Sequence, residues 1–163
     1  MGLKKRLYSG LKRSREIVQG TLDSFKTPEQ WVHQVHEKAN HALWFVGHIA
    51  VVDDFMISLV AKDKASPKAG YPEKFGMGST PTGNAADYPP IEEVLDYWRD
   101  RREALLAVLD GLGDEDFDTR TPADAPPFLA TFGAVFQLGA WHEAFHLGQV
   151  SVAARALGMP PRI

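Results

Sequence analysis

The stretch that decides the fold reads TFGAVFQLGAWHEAFHLGQVSVAARAL, residues 131–157. Gly158 and Pro160 follow it, which predicts one long helix that ends at this point. Within it His142 and His146 are four residues apart, so both imidazoles lie on one face of the helix. Both rings can then reach one metal ion at about 2.0–2.2 Å. Stacked neutral histidines on a buried face are otherwise costly, because each has a donor and an acceptor to satisfy.

The same residues form the HExxH pattern of zinc proteases, in which Glu143 would be the general base. Those enzymes take a third ligand from downstream, but beyond His146 this chain contains no Asp, Glu or His. A third ligand must therefore lie upstream. His48 is the best candidate, because it lies on the apolar stripe of its own predicted helix. A lone histidine there is more often a hydrogen-bonded core residue, yet a facing histidine pair favours a ligand.

Three further long helices are predicted from apolar residues at steps of three and four. They span residues 3–25, about 40–61 with Asn40 as the cap, and 91–112. A short helical turn from Pro28, capped by Thr27, separates the first two. The inward stripe predicted for the second helix consists of Trp44, His48, Val51, Val52, Phe55 and Leu59.

Residues 62–90 contain four glycines and five prolines, which predicts a long irregular loop between the second and third long helices. Two roles are open for its large side chains: they cover a pocket, or they pin the loop to the bundle. These side chains are Tyr71, Phe75, Met77 and Tyr88. The prediction is an all-α four-helix bundle, and a connection of this length allows its flanking helices to run parallel or antiparallel.

The composition of the chain restricts the number of domains, the kind of metal site and the location of the protein. The 163 residues suit one domain, 1–163, and the 44% hydrophobic content suits a core without disulfides. There is no cysteine, which excludes a cysteine-based zinc site and a cysteine nucleophile. Residues 1–15 hold six bases and no acid, which we interpret as a solvated helix face, with nucleic-acid or membrane contact as the alternative. No segment is expected to reach the about 18 apolar residues of a membrane span, which favours a cytoplasmic protein.

The combination of WFVGHIA, residues 44–50, with HEAFHLGQ, residues 142–149, resembles the DinB/YfiT-like superfamily of metal-binding four-helix bundles. The resemblance covers the helix order, the long middle loop and the closing ALGMP at 156–160. It implies that the metal-binding histidines are His48, His142 and His146. It also implies an up-down-down-up helix order and a homodimer. Some members, such as bacillithiol transferases and mycothiol-dependent maleylpyruvate isomerase, use the metal to activate a small cellular thiol.

Three imidazoles leave an open position on one divalent transition metal. Zinc or nickel is expected first, with iron, cobalt or manganese as alternatives. The open position could activate water, or hold a low-molecular-weight thiol that a chain without cysteine cannot itself supply. The resemblance favours a thiol-dependent transferase, with a non-catalytic metal-binding or stress-response protein and a metal-dependent hydrolase as alternatives. The expected partners are a small-molecule substrate or thiol and a second copy of the chain, not nucleic acid or a membrane.

Two residues of the last helix are candidates for supporting roles. Glu143 is predicted to act as a base at the edge of the cavity, or alternatively to pair with a Lys or Arg of another helix. Gln149 lies one turn beyond His146 and is a candidate hydrogen-bond partner for that ligand.

Overall fold

Within residues 2–161, the part of the chain that the computed structural model describes, all regular secondary structure is helical, apart from one isolated bridge between Arg120 and Thr131. The all-α prediction is therefore confirmed. The prediction of one domain over residues 1–163 stays a prediction, and residues 1, 162 and 163 lie outside the described range. The helices are α1 (Leu3–Leu22), α2 (Pro28–Trp31), α3 (Ala42–Val60), α4 (Tyr71–Phe75), α5 (Ile91–Asp110) and α6 (Phe132–Ala156), with 3₁₀ turns at Lys62–Lys64, Ala85–Asp87, Asp114–Asp118 and Pro127–Leu129.

The caps show how local sequence sets the helix starts. Thr27 caps α2 as predicted: its side chain accepts from the Gln30 amide, and Pro28 occupies the first turn. The cap predicted for α3, Asn40, is wrong by one residue. His41 is the cap, because its Nδ1 accepts from the Trp44 amide at 3.1 Å.

The core forms two clusters, and each long helix contributes to both. The first halves of α3 and α5 meet the second halves of α1 and α6, while the other halves meet at the opposite end. The four long helices therefore pack along most of their length. Members of the first cluster include Val18, Leu22, Leu43, Phe45, Val94, Trp98, Val150 and Ala154; members of the second include Leu7, Leu11, Met56, Ile57, Leu105, Leu109, Val135 and Phe136.

The helix α3 is buried on nearly all sides rather than along one stripe. Every residue from 42 to 50 is buried, whereas Phe55 of the predicted inward stripe is 42% exposed. The stripe prediction fails because it assumes a single buried face, while a helix that is hydrophobic all round belongs inside.

By length and apolar composition α3 could cross a membrane, which the sequence analysis overlooked. However, 67% of its most apolar window is buried inside the protein, as in the core helix of a soluble protein. It also carries Asp53 and Asp54, and both form ion pairs with arginines.

The connection from α3 to α5 is less irregular than predicted, because it contains α4 and two 3₁₀ turns. Tyr71 and Phe75 are buried, whereas Met77 is 96% exposed. The large side chains other than Met77 thus pin the connection to the bundle. We call residues 71–88 the strap.

Candidate metal centre

Three histidines meet between α3 and α6. His48, His142 and His146 each offer a ring nitrogen, and these atoms all lie within 4.8 Å of one another. The Nε2 atoms of His142 and His146 are 3.1 Å apart. The centroid of the His48 ring lies 5.3 Å from the centroid of the His142 ring and 4.8 Å from that of the His146 ring. Two nitrogens bound tetrahedrally to one zinc ion are about 3.3 Å apart. The structure thus brings together the three residues that the sequence analysis selected.

Acceptors outside the cluster orient two of the rings. Nδ1 of His48 donates to the carbonyl oxygen of Phe75 at 2.8 Å, and Nδ1 of His146 donates to Oε1 of Gln149 at 2.9 Å. Both acceptors are oxygens, so the ring proton belongs on Nδ1 and Nε2 keeps its lone pair. Gln149 also accepts from Asn40 at 3.0 Å.

Burial keeps the rings neutral. Only 5% of His48 and 8% of His146 are exposed. Burial is the main cause that lowers the pKa of His48 and of His142 to about 4, and it also lowers the pKa of His146. At neutral pH the lone pairs are therefore available, which is the state a metal ligand requires.

The donor set fits a divalent transition metal. With Nδ1 of His146 protonated, its Nε2 lone pair faces Nε2 of His142 at 3.1 Å. Imidazole nitrogens suit zinc, nickel, cobalt and iron, and a set of three protein ligands is typical of catalytic rather than structural zinc sites.

Aromatic side chains surround the cluster. The Trp44 ring stacks on His48, with centroids 4.6 Å apart and planes 10° from parallel, and is buried as the sequence analysis expected. Trp141 is instead 54% exposed, and Phe145 is 60% exposed. Their rings lie 6.0 Å from His142 and 5.4 Å from His146. The surface beside the cluster on the α6 side is thus apolar and accessible.

Glu143 lies in a buried ionic network. Its Oε2 accepts from Ser14 at 2.7 Å and from Arg102 at 2.9 Å, and its Oε1 lies 2.7 Å from Nε of Arg15. Arg102 and Arg15 both also bind Asp53. The structure therefore shows the pairing that was the alternative prediction for Glu143, and its catalytic role stays a prediction.

No pattern in the sequence indicates this network. Arg15 was assigned to the exposed basic face of α1, but its side chain is 15% exposed and its guanidinium lies 3.6 Å from the Trp98 ring centroid. Burial lowers the pKa of Arg15 to about 10. The prediction of a solvated basic face holds for Lys5, Arg6, Lys12 and Arg13, which are exposed. It does not hold for Lys4, which donates to the carbonyl of Leu112.

The other three histidines are not brought to the cluster. His36 is exposed and His33 is half-buried. His41 is fully buried, with its Nδ1 accepting from the Trp44 amide and its Nε2 bonded to the hydroxyl of Tyr88 at 3.1 Å. Burial lowers the pKa of His41 to about 4.

We expect His41 to make the protein less stable in acid. Its folded pKa of about 4 is below the ordinary 6.5, so the unfolded chain binds the extra proton between these values. The contribution of His41 to the free energy of unfolding is fully present above pH 6.5. It is lost as the pH falls toward 4, and the loss is about 3 kcal/mol. Asn also caps helices but does not titrate. His41→Asn should therefore flatten the dependence of the unfolding free energy on pH, measured in urea from pH 7 to 4.

His36→Asn is the matched control, because His36 is exposed and should leave the curve unchanged. Parallel curves for the wild type and His41→Asn would contradict the assignment of His41 as a buried neutral cap.

The fold and the cluster define a class of protein: an all-α chain in which three histidines from two helices lie close enough together to hold one metal ion. A family model of the DinB superfamily matches residues 10–150. The chain therefore belongs to the DinB superfamily, as the sequence resemblance predicted. Comparison with curated proteins and with solved structures gave no match.

Proposed function

We propose that this protein binds one divalent transition metal through His48, His142 and His146 and uses it to transfer a small thiol to an electrophilic substrate. The observation that carries the proposal is the convergence of three neutral imidazoles, of which His48 and His146 are buried, His142 is half-buried, and two have their Nδ1 protons held by acceptors outside the cluster. Zinc or nickel is the preferred metal, with iron, cobalt or manganese as alternatives.

The metal would supply an open position at which a thiol is held in its thiolate form, the nucleophilic one. The residues of the chain have separate tasks. The three histidines bind, Phe75 and Gln149 orient two of them, and the chain, having no cysteine, takes its thiol from solution. The exposed rings of Trp141 and Phe145 offer an apolar surface to the substrate beside the site.

Two other functions compete with transfer. A non-catalytic metal-binding or stress-response protein needs the same three histidines and no substrate. A metal-dependent hydrolase would use a general base, and the predicted base is Glu143, whose two carboxylate oxygens are occupied by Arg15 and Arg102. This observation favours transfer or simple binding over hydrolysis.

The finer features of the family belong to the same proposal. We propose the up-down-down-up bundle, and it is supported by the core clusters, in which the first halves of α3 and α5 meet the second halves of α1 and α6. The homodimer is proposed from the resemblance to the family alone. A cytoplasmic location, without nucleic-acid or membrane partners, completes the proposal.

The test is a thiol-transfer assay on zinc-loaded and nickel-loaded protein. The substrates are a panel of small cellular thiols and 1-chloro-2,4-dinitrobenzene, in which sulfur bonds to the ring carbon and chloride leaves. We expect turnover that stops on chelation and returns with metal, and that His142→Ala abolishes while His36→Ala does not. Hydrolysis of a nitrophenyl ester without any thiol would favour the hydrolase. Metal binding without either activity would favour the non-catalytic protein.

A further inference from the structure

One face of α3 is bonded to the strap at three successive points. His41, Trp44 and His48 are spaced by three and four residues and so lie on the same face. His41 Nε2 bonds the Tyr88 hydroxyl at 3.1 Å, and Nε1 of Trp44 donates to the Ser79 hydroxyl at 2.8 Å. Nδ1 of His48 donates to the Phe75 carbonyl at 2.8 Å. The last of these three contacts holds a proposed metal ligand.

The Phe75 carbonyl is held in place by close packing. The Phe75 ring is fully buried and packs directly on Gly47, where an added Cβ would lie 2.3 Å from the ring. On the strap side, a Cβ at Gly76 would lie 2.3 Å from the Pro72 carbonyl oxygen. The Tyr88 ring stacks on Phe75 at 5.6 Å. Both close approaches exist only because a glycine stands at each of these positions.

The strap also holds the plane of the His48 ring. The Trp44 indole stacks on that ring at 4.6 Å, and Ser79 holds the indole by accepting its N–H while donating to the Gly76 carbonyl at 2.8 Å. His48 is thus restrained at its Nδ1 edge by Phe75 and on its ring face by Trp44.

We propose that the strap is a positioning device for the metal centre. It keeps the His48 proton on Nδ1 and the ring plane fixed, so that Nε2 stays directed to His142 and His146. Without the Phe75 acceptor the proton can move to Nε2, the nitrogen that the metal needs. The strap therefore sets the metal affinity, and this inference rests on the proposed metal site.

Gly47→Ala tests the device without altering a ligand. The new methyl group displaces the Phe75 ring, and the backbone carbonyl of Phe75 moves away from His48. Two readouts are needed: the His48 tautomer, from ¹⁵N chemical shifts of the metal-free protein, and zinc affinity, from competition with a chromophoric chelator. We expect a single Nδ1–H tautomer in the wild type, a mixture in Gly47→Ala, and zinc binding weaker by about 10- to 100-fold.

Gly20→Ala is the matched control, because Gly20 also lies within a helix and an added Cβ there meets no atom within 4 Å. It should keep the wild-type tautomer and affinity. A folded Gly47→Ala protein with both wild-type values would overturn the proposal. If Gly47→Ala lacks the wild-type helical spectrum, Ser79→Ala decides, because it removes the hydroxyl that holds Trp44 without adding an atom. Weakening of zinc binding by about 10-fold supports the device, and unchanged binding overturns it.

The two proposals fail in different ways. If the wild-type protein binds no zinc, the proposed metal site is refuted. The proposed role of the strap in metal affinity is then refuted as well. Wild-type protein that binds zinc, with affinity and tautomer unchanged in the strap variants, would refute the strap alone.

Discussion

Arg102→Met should lower the free energy of unfolding by about 3–5 kcal/mol, the usual cost of removing one partner from a buried ion pair. Arg102 is 3% exposed and binds Asp53 through Nε and Nη2, and Glu143 and the Leu11 carbonyl through Nη1. Methionine keeps the aliphatic volume, so the loss measures the guanidinium. Two buried carboxylates would be left with Arg15 as their shared cation. Because domains are stable by about 5–15 kcal/mol, the effect is a large share of the total.

Urea unfolding of the wild type, Arg102→Met and Arg99→Met measures this effect. Arg99 lies on the same helix but is exposed, and its ion pair with Asp96 is of the surface kind that contributes about 0–1 kcal/mol. Equal losses in the two variants would show that the buried network does not hold the helices together.

His48→Ala should abolish stoichiometric metal binding. Protein purified without tag or chelator should contain near one equivalent of a transition metal in the wild type and little in the variant. The loss should exceed the roughly 10–100-fold cost of removing an outer-shell partner, because a direct ligand is lost. Elemental analysis after incubation with zinc or nickel measures it.

His36→Ala is the control, since it removes an exposed histidine away from the cluster. Circular dichroism of the metal-free proteins separates a lost ligand from a lost fold. Wild-type protein that stays metal-free after incubation with zinc or nickel would refute the proposal that the three histidines bind a metal. The three histidines would then be ordinary core residues.

Local features were predictable because they depend on neighbours in sequence. The long helices start and end within a few residues of the predicted positions, since periodicity, caps and terminating Gly or Pro act over one or two turns. The stacking of His142 and His146 follows from the helical repeat alone. Gln149 was found as a hydrogen-bond partner of His146 for the same reason.

Predictions that depended on what surrounds a helix were less reliable. The stripe of α3 and the exposed position of Arg15 both assumed one solvent face, but neighbouring helices and the strap occupy those sides. The environment of Glu143 has the same origin: its partners come from α1 and α5, far apart in sequence. Nothing in the order of residues indicates which arginine reaches which carboxylate.

By itself, the sequence determined the helical class, the His142–His146 pair and the choice of His48 as the third histidine, because each follows from short-range periodicity, from composition or from family motifs. Tertiary structure alone decided how the site is held. The acceptor for His48 is a backbone carbonyl, a group that every residue carries and that no side-chain pattern marks. Its position depends on the packing of Phe75 against Gly47, across the connection between two helices.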